Sequence, residues 1–264
     1  MKQLKRLMDV LAGYDSLAIA VSGGIDSTLL AHVADRVLSE KVRMVHAISP
    51  AVPAAATERV KLHSQQRSWR LELVDAGEFG DPRYRANPVD RCYFCKLNLY
   101  DTITSLCDGP VASGTNCDDL GDYRPGLVAA KQHGVVHPYV DAGWAKRDIY
   151  DLASHFGIAD LKALPAQPCL ASRIETGIRI RSRDLSFVER VEEELHGRFG
   201  VSAILRCRVA HQGVVVELAQ DLLDTHEAVS VSRHLAAFCA VEGRRFLGLR
   251  AYRRGAAFLR GVNT

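Results

Sequence analysis

Nowhere in the 264 residues is there an uninterrupted apolar run of membrane-spanning or signal-peptide length, the opening MKQLKRLMDVLAGYDS included. The expectation is therefore a chain with neither a spanning helix nor a leader. Internal repeats and low-complexity tracts are absent too. Net charge is scarce: the formal value is +3, too small to argue for a nucleic-acid partner. Arginine is nonetheless dense after residue 173. Seven cysteines, an odd number scattered over a chain of this size, do not suggest a secreted disulfide framework. They point to a cytoplasmic protein with reduced thiols free for metal or catalysis. What is present is ordinary for a globular protein, with 47% hydrophobic and 25% charged residues. The length suits one large domain or, in better keeping with the usual domain size, two.

One segment carries more information than the rest. LAIAVSGGIDST (17–28) begins as an apolar strand, breaks at Ser22-Gly23-Gly24, and continues into helical periodicity with Leu29, Val33 and Val37 on one stripe. Strand, glycine turn and helix N-terminus together make an anion site, because glycines let backbone N–H groups approach phosphate oxygens. The turn lacks the lysine and the spacing of a Walker A loop. It resembles the SGGxDS loop of the ATP pyrophosphatase (PP-loop) superfamily, whose members cut ATP between the α and β phosphates.

Beyond that loop, VRMVHAIS (42–49) predicts a strand, ATERVKLHSQQR (56–67) a helix and WRLELVDA (69–76) a third strand. LNLYDTITSL (97–106) predicts a helix, PVASG (110–114) a short buried strand and WAKRDIYDLASHFG (144–157) an amphipathic helix. TNCDDLGDYRPG (115–126) has loop composition, and 158–173, with Pro165 and Pro168, predicts a linker or active-site loop. Strands alternating with helices imply right-handed crossovers and a parallel sheet. From Gly177 the order becomes strand (IRIRS), helix (184–199), two strands, helix (220–240), strand, the βαββαβ order of a ferredoxin-like fold. The expected architecture is α/β: a PP-loop domain over 1–172, of the adenine nucleotide alpha hydrolase-like type, then a smaller α+β domain over 173–264. The smaller domain is expected to bind substrate and to assemble the chain into a homo-oligomer.

Cys92 and Cys95 in NPVDRCYFCK have the C-x-x-C spacing that aims two thiolates at one metal. The chain has no second C-x-x-C and no Cys/His pair at finger spacing. A third thiol, Cys169, sits in QPCLASR. Three thiolates suit zinc with an added water, or three irons of a [4Fe–4S] cluster with the fourth left open. A thioredoxin-type pair fits poorly, since that motif follows the first strand of its own fold. Cys107, Cys207 and Cys239 lie in apolar or strand contexts that suit inert buried thiols.

RCYFCK preceded by NP, then GTNCDDLGDYRPG, then PCLASR, resemble the successive signatures of the LarE-type sulfur transferases, over nearly the whole chain. Those PP-loop enzymes place sulfur on pyridinium-3,5-biscarboxylic acid mononucleotide, in the biosynthesis of the nickel-pincer nucleotide cofactor of lactate racemase. One variant of the family sacrifices the cysteine of the CLASR loop, which becomes dehydroalanine. The other joins it to a C-x-x-C pair to hold an iron–sulfur cluster carrying the transferable sulfide. With all three thiols, this chain resembles the cluster variant. It departs from the family at Cys117, where alanine is usual, in IETG after CLASR, and in the terminal YRRGAAF.

The resemblance implies that Ser22, Gly23, Gly24, Ser27 and Thr28 cradle the β and γ phosphates of ATP, and that Asp26 helps hold Mg²⁺. It places Gly114, Thr115 and Asn116 near the nucleotide, beyond the carboxyl end of their strand; a plain strand-to-loop turn is the alternative. Asp118, Asp119 and Asp122 either bind the magnesium or cap a loop. Cys92, Cys95 and Cys169 would anchor the cluster, and Arg173 would stabilise a thiolate or the adenylate phosphate; its alternative is a solvated loop arginine. Arg206 and Arg208, two apart on a strand, share a face and match the family's substrate-phosphate pair. Arg179, Arg181 and Arg183 repeat the spacing, and Glu193 is a candidate carboxylate. The implied partners are a small-molecule nucleotide and a sulfide donor, with neither membrane nor nucleic acid. Two rival readings are a PP-loop tRNA thiolase and a zinc-stabilised nucleotide-binding protein without catalysis.

Overall fold

The alternation of apolar strands and striped helices in the first 160 residues becomes a parallel sheet in the computed structural model, which describes residues 2–121, 125–158, 160–163, 168–253 and 255–256. Two units separate: Met1–Asp81 with Asp90–Ala163, and Pro82–Val89 with Leu164–Thr264. The first unit contains α1 (Lys2–Ala12), β1 (Leu17–Ala20), α2 (Ile25–Leu38), β2 (Val42–Ala47), α3 (Ala54–Arg67), β3 (Leu71–Val74), α4 (Arg91–Leu106), β4 (Val111–Ala112), α5 (Pro125–Gln132) and α6 (Lys146–His155). Its sheet has the order β3-β2-β1-β4 with every pair parallel. Strand order reverses between β1 and β4, so the crevice beyond their carboxyl ends is the topological switch point where open α/β sheets take ligands.

Alternation along the strands distributes the core. Ala18, Val45, Val74 and Val111 pack with Leu99, Tyr100 and Ile103 of α4 and with Ala129 and Ala130 of α5. Helix α2 lies against β1 and β2, with Leu29, Leu30, Val33 and Ala34 almost wholly buried. Each large aliphatic so buried contributes roughly 1.5–3 kcal/mol, which holds the turn ahead of α2 on a rigid base.

The second unit contains α7 (Ser182–Phe199), β5 (Leu205–Ala210), β6 (Gly213–Leu218), α8 (His226–Val241) and β7 (Phe246–Ala251). Among the described residues its sheet is three-stranded, β5-β6-β7, with β5 and β6 antiparallel and β6 and β7 parallel. The expected opening strand IRIRS does not form, so these residues do not build the four-stranded ferredoxin-like sheet. Its backbone is committed elsewhere: Gly177 N–H donates to Asn87 O and Ile180 N–H to Arg85 O. The Asn87 amide donates to the carbonyls of Ile174, Glu175 and Ile178. The same bonds draw 82–89 into the C-terminal unit, whereas the sequence places that segment in the first domain and the boundary at 172.

Two helix boundaries also differ from expectation. Helix α4 starts at Arg91, six residues before the expected 97, and so includes both cysteines of the C-x-x-C. The expected 220–240 helix is interrupted, and Thr225 Oγ1 caps α8 by accepting from Ala228 N–H at 3.2 Å.

Candidate functional site

The loop between β1 and α2 is knitted by its own serines. Ser22 N–H donates to Ser27 Oγ at 3.0 Å, the two hydroxyls are 3.0 Å apart, and Gly24 N–H donates to Ser22 Oγ at 3.3 Å. Gly24 caps α2 without a side-chain acceptor, which suits first-turn amides that face an anion. Gly23 has φ +77°, and a Cβ there would lie 2.6 Å from Ala56 O, so only glycine fits. A Cβ on Gly114 would lie 2.7 Å from Ser27 N. The end of β4 therefore meets the first turn of α2, and the two sequence-distant glycine motifs share one place. Ser22 is exposed and Asp26 half-buried. Thr28 is fully buried, with no hydrogen-bond partner for its hydroxyl.

Asp26 does not stand alone. Lys146 Nζ, from the first position of α6, lies 2.5 and 2.6 Å from its two oxygens. The Asp26 carbonyl accepts from Tyr139 OH at 3.0 Å. Sequence reasoning missed Lys146. The available signal was a cation at a helix N-terminus, where the dipole disfavours it. Asp118 Oδ2 accepts from Lys146 N–H at 2.8 Å, and Asp119 Oδ2 from Asn116 N–H at 3.1 Å. Asp118 thus holds the start of α6 and Asp119 bonds within its own loop, while Asp122 lies outside the described residues. A single half-buried carboxylate beside a phosphate loop fits magnesium, which is commonly held by one or two carboxylates plus substrate phosphates. Thr115 Oγ1 is 2.9 Å from Ser113 Oγ, which is 2.9 Å from His137 Nδ1, and Asn116 is buried with Oδ1 accepting from Asp118 N–H.

Cys92 and Cys95 are three residues apart on α4 and so share a helix face; both are half-buried. Cys169, equally half-buried, belongs to the second unit. Thiolates are the ligands that an iron–sulfur cluster takes, and Cys92 and Cys95 present two of them on one helix face. Among the described residues no group of three or more His, Cys, Asp or Glu side chains forms a metal site.

In the second unit Arg173, Arg206 and Arg208 are interior groups. Arg173 is 3% exposed, contrary to a solvated loop arginine. It forks onto Glu192 at 3.0 and 2.8 Å and donates to the carbonyls of Pro168 at 2.7 Å and Cys169 at 3.3 Å. It therefore fixes the backbone that carries Cys169. Glu192 also accepts from Cys207 N–H at 2.9 Å. The expected carboxylate, Glu193, is exposed. Glu192 falls on the buried stripe of α7 with Leu185, Val188 and Leu195, a spacing legible in the sequence.

Arg208 pairs with Glu217 at 2.9 Å and donates to Ser172 O at 2.9 Å. Arg206 lies 5.8 Å from the Tyr252 ring centroid. Burial and the nearby Arg173 charge lower its pKa. Both arginines are buried, whereas Arg179, Arg181 and Arg183 are exposed.

No family model matches the chain. It is 38% identical over 194 residues, 72% of either chain, to the "Uncharacterized protein slr1717" of Synechocystis sp.. It is 25% identical over 194 residues, 72% of this chain and 70% of the other, to the pyridinium-3,5-bisthiocarboxylic acid mononucleotide synthase of Lactiplantibacillus plantarum. It is 26% identical over 208 residues, 69% of this chain and 76% of the other, to the tRNA-cytidine(32) 2-sulfurtransferase of Syntrophotalea carbinolica. The chain thus belongs to the family of the Synechocystis protein, and the latter two, distant homologues of it, are sulfurtransferases of the PP-loop family.

Proposed function

We propose that the protein is an ATP-dependent sulfur transferase that adenylates a carboxylate of pyridinium-3,5-biscarboxylic acid mononucleotide and converts it to a thiocarboxylate. The observation that carries this reading is the serine-knitted glycine loop at the switch point, with Asp26 and Lys146 paired beside it. A carboxylate is a poor acyl donor because oxide is a poor leaving group. Its oxygen attacks the α-phosphorus and pyrophosphate leaves; sulfide then attacks the acyl carbon and AMP leaves with the former carboxylate oxygen. The proton of hydrosulfide passes to solvent.

Ser22, Gly23, Gly24 and the first turn of α2 receive the β and γ phosphates, and Gly114, Thr115 and Asn116 border the nucleotide. Asp26 would hold Mg²⁺, which offsets charge on the departing pyrophosphate. Lys146 carries the cation that the loop itself lacks, beside Asp26 and in reach of the phosphate cradle. Arg206 and Arg208 take the substrate phosphate. Arg173 orients the Cys169 loop by holding the carbonyls of residues 168 and 169. Cys92, Cys95 and Cys169 would hold a [4Fe–4S] cluster, whose open iron supplies a place for a transferable sulfide. Holding reactants in place can contribute on the order of 7–11 kcal/mol.

Product analysis tests the reading. AMP and pyrophosphate should form from ATP when a carboxylated pyridinium mononucleotide is added. Release of ADP and phosphate would refute cleavage between the α and β phosphates. A second reading, sulfur transfer to RNA, is favoured by the 26% identity to a tRNA sulfurtransferase. AMP formation with bulk tRNA and none with the small nucleotide would select it.

A further inference from the structure

Strand β2, VRMVHA, is apolar except at Arg43 and His46, and His46 is 1% exposed. Both nitrogens of its ring are engaged. Nδ1 lies 2.7 Å from the carbonyl oxygen of Val21, the residue before Ser22, and Nε2 lies 2.9 Å from Thr57 Oγ1 in the first turn of α3. A carbonyl only accepts, so Nδ1 carries the proton and the neutral ring takes the Thr57 hydroxyl hydrogen at Nε2. Burial, and to a lesser degree Lys61, lower the pKa of this histidine, while the Val21 bond acts in the opposite direction.

Helix α3 meets the same loop twice more. Arg59 Nε donates to Gly23 O at 3.2 Å, and Ala56 O closes against Gly23 Cα. An aliphatic side chain would fill the strand position without burying a polar ring. A buried imidazole is tolerated here because both of its nitrogens are satisfied, and one of them serves the loop.

We propose that His46 is a positioning residue for the phosphate-binding loop: it fixes the Val21 carbonyl, and with it the direction in which Ser22–Gly24 leave β1, using α3 as the anchor. The assignment deepens the nucleotide-binding reading of that loop and rests on it. His46 acts through Val21 and Thr57. Without the bond the loop keeps its serine contacts and Val21 N–H keeps its bond to Val45 O, but the Val21 carbonyl is released, so nucleotide binding must also order the peptide that leads into Ser22.

Three variants separate positioning from simple structural support. His46→Asn puts an amide Nδ2 where the imidazole Nδ1 stood and still donates to Val21. His46→Gln carries its amide one carbon further, toward Thr57, and cannot. His46→Phe removes both bonds. ATP affinity is measured by calorimetry on the full chain, and amide exchange of the peptide spanning 22–28 is followed without nucleotide.

The Gln and Phe variants should weaken ATP binding about five- to tenfold, as expected for one buried hydrogen bond, and speed exchange of the loop. The Asn variant should restore both. Equal affinities and equal exchange across all three variants, with wild type binding ATP, would overturn the positioning role alone. Loss of active protein at unchanged ATP affinity in the Gln and Phe variants would overturn it as well. If wild type binds no ATP while exchange still separates Asn from Gln, the nucleotide reading fails and the role of His46 in holding the loop stands.

Discussion

Lys146 Nζ bonds both carboxylate oxygens of Asp26, at 2.5 and 2.6 Å, across 120 residues of chain. The lysine thus neutralises the carboxylate proposed above to hold magnesium. Lys146→Met should lower kcat/KM for ATP by roughly 10- to 100-fold, the loss expected for charge-assisted hydrogen bonds of about 1.5–3 kcal/mol. Thermal stability should barely change, because both side chains are about one-third exposed and such pairs are worth little. Wild-type kcat/KM in the variant would reduce the pair to a surface contact.

Asp26→Asn keeps the shape of the side chain and removes its charge. Formation of AMP and pyrophosphate should disappear while the circular dichroism melt stays within a few degrees of wild type. Activity surviving in magnesium, at any ATP concentration, would show that another group holds the metal.

The glycine loop, the parallel sheet and the C-x-x-C were legible because each is written in adjacent residues. Ser22, Gly23, Gly24 and Asp26 are consecutive or nearly so, and the strand and helix periods around them are unbroken. Lys146, Glu192 and His46 were not found, since each acquires its role from a partner far away in sequence: Asp26, Arg173 and Val21. IRIRS alternates as a strand should, yet tertiary bonds to Arg85 and Asn87 take its backbone. Local pattern cannot register such competition. The arginines 206 and 208 share a strand face as expected, but the carboxylate of Glu217 on β6 makes that face an interior one.

Arg208→Ala should raise the KM for the pyridinium nucleotide about tenfold or more and leave that for ATP unaltered. Stability should fall as well, because Glu217 is fully buried. The loss should be smaller than the roughly 3–5 kcal/mol typical of a broken buried pair, since Arg250 remains 2.8 Å from the other Glu217 oxygen. Weakened ATP binding at constant substrate affinity would move these arginines to the nucleotide.

His32 packs between His63, Trp69 and Phe156. Its pKa is lowered to about 3, first by burial and then by His63, Arg67 and Arg36. The unfolded chain therefore takes up this proton near pH 6.5 while the folded chain does not, so stability is lost as pH falls between those values. Between pH 7 and 5 the loss should be about 2 kcal/mol from this residue, with His46 adding in the same direction. Urea midpoints across that range should fall in wild type and fall less in His32→Leu. An identical pH slope in the two proteins would assign the acid sensitivity elsewhere.

The fate of Cys169 decides how sulfur is delivered. If Cys92, Cys95 and Cys169 anchor a cluster, the open iron takes exogenous sulfide and no cysteine is consumed. The enzyme then turns over repeatedly. If Cys169 itself donates, its Cβ–Sγ bond breaks, the sulfur leaves with the product, and the Cα proton is lost to give dehydroalanine. Each chain then delivers one sulfur and becomes lighter by the mass of H₂S. Both schemes make Cys169→Ala inactive, so that variant does not separate them. Cys92→Ala does. Its helical position is half-buried and makes no disulfide, and the cluster scheme requires that this variant lose both iron and multiple turnover. The sacrificial scheme leaves single turnover intact. Intact-mass analysis after reaction should show an unchanged chain in wild type. A shift of one H₂S, localised to residue 169, would establish the sacrificial route and leave Cys92 and Cys95 outside the reaction.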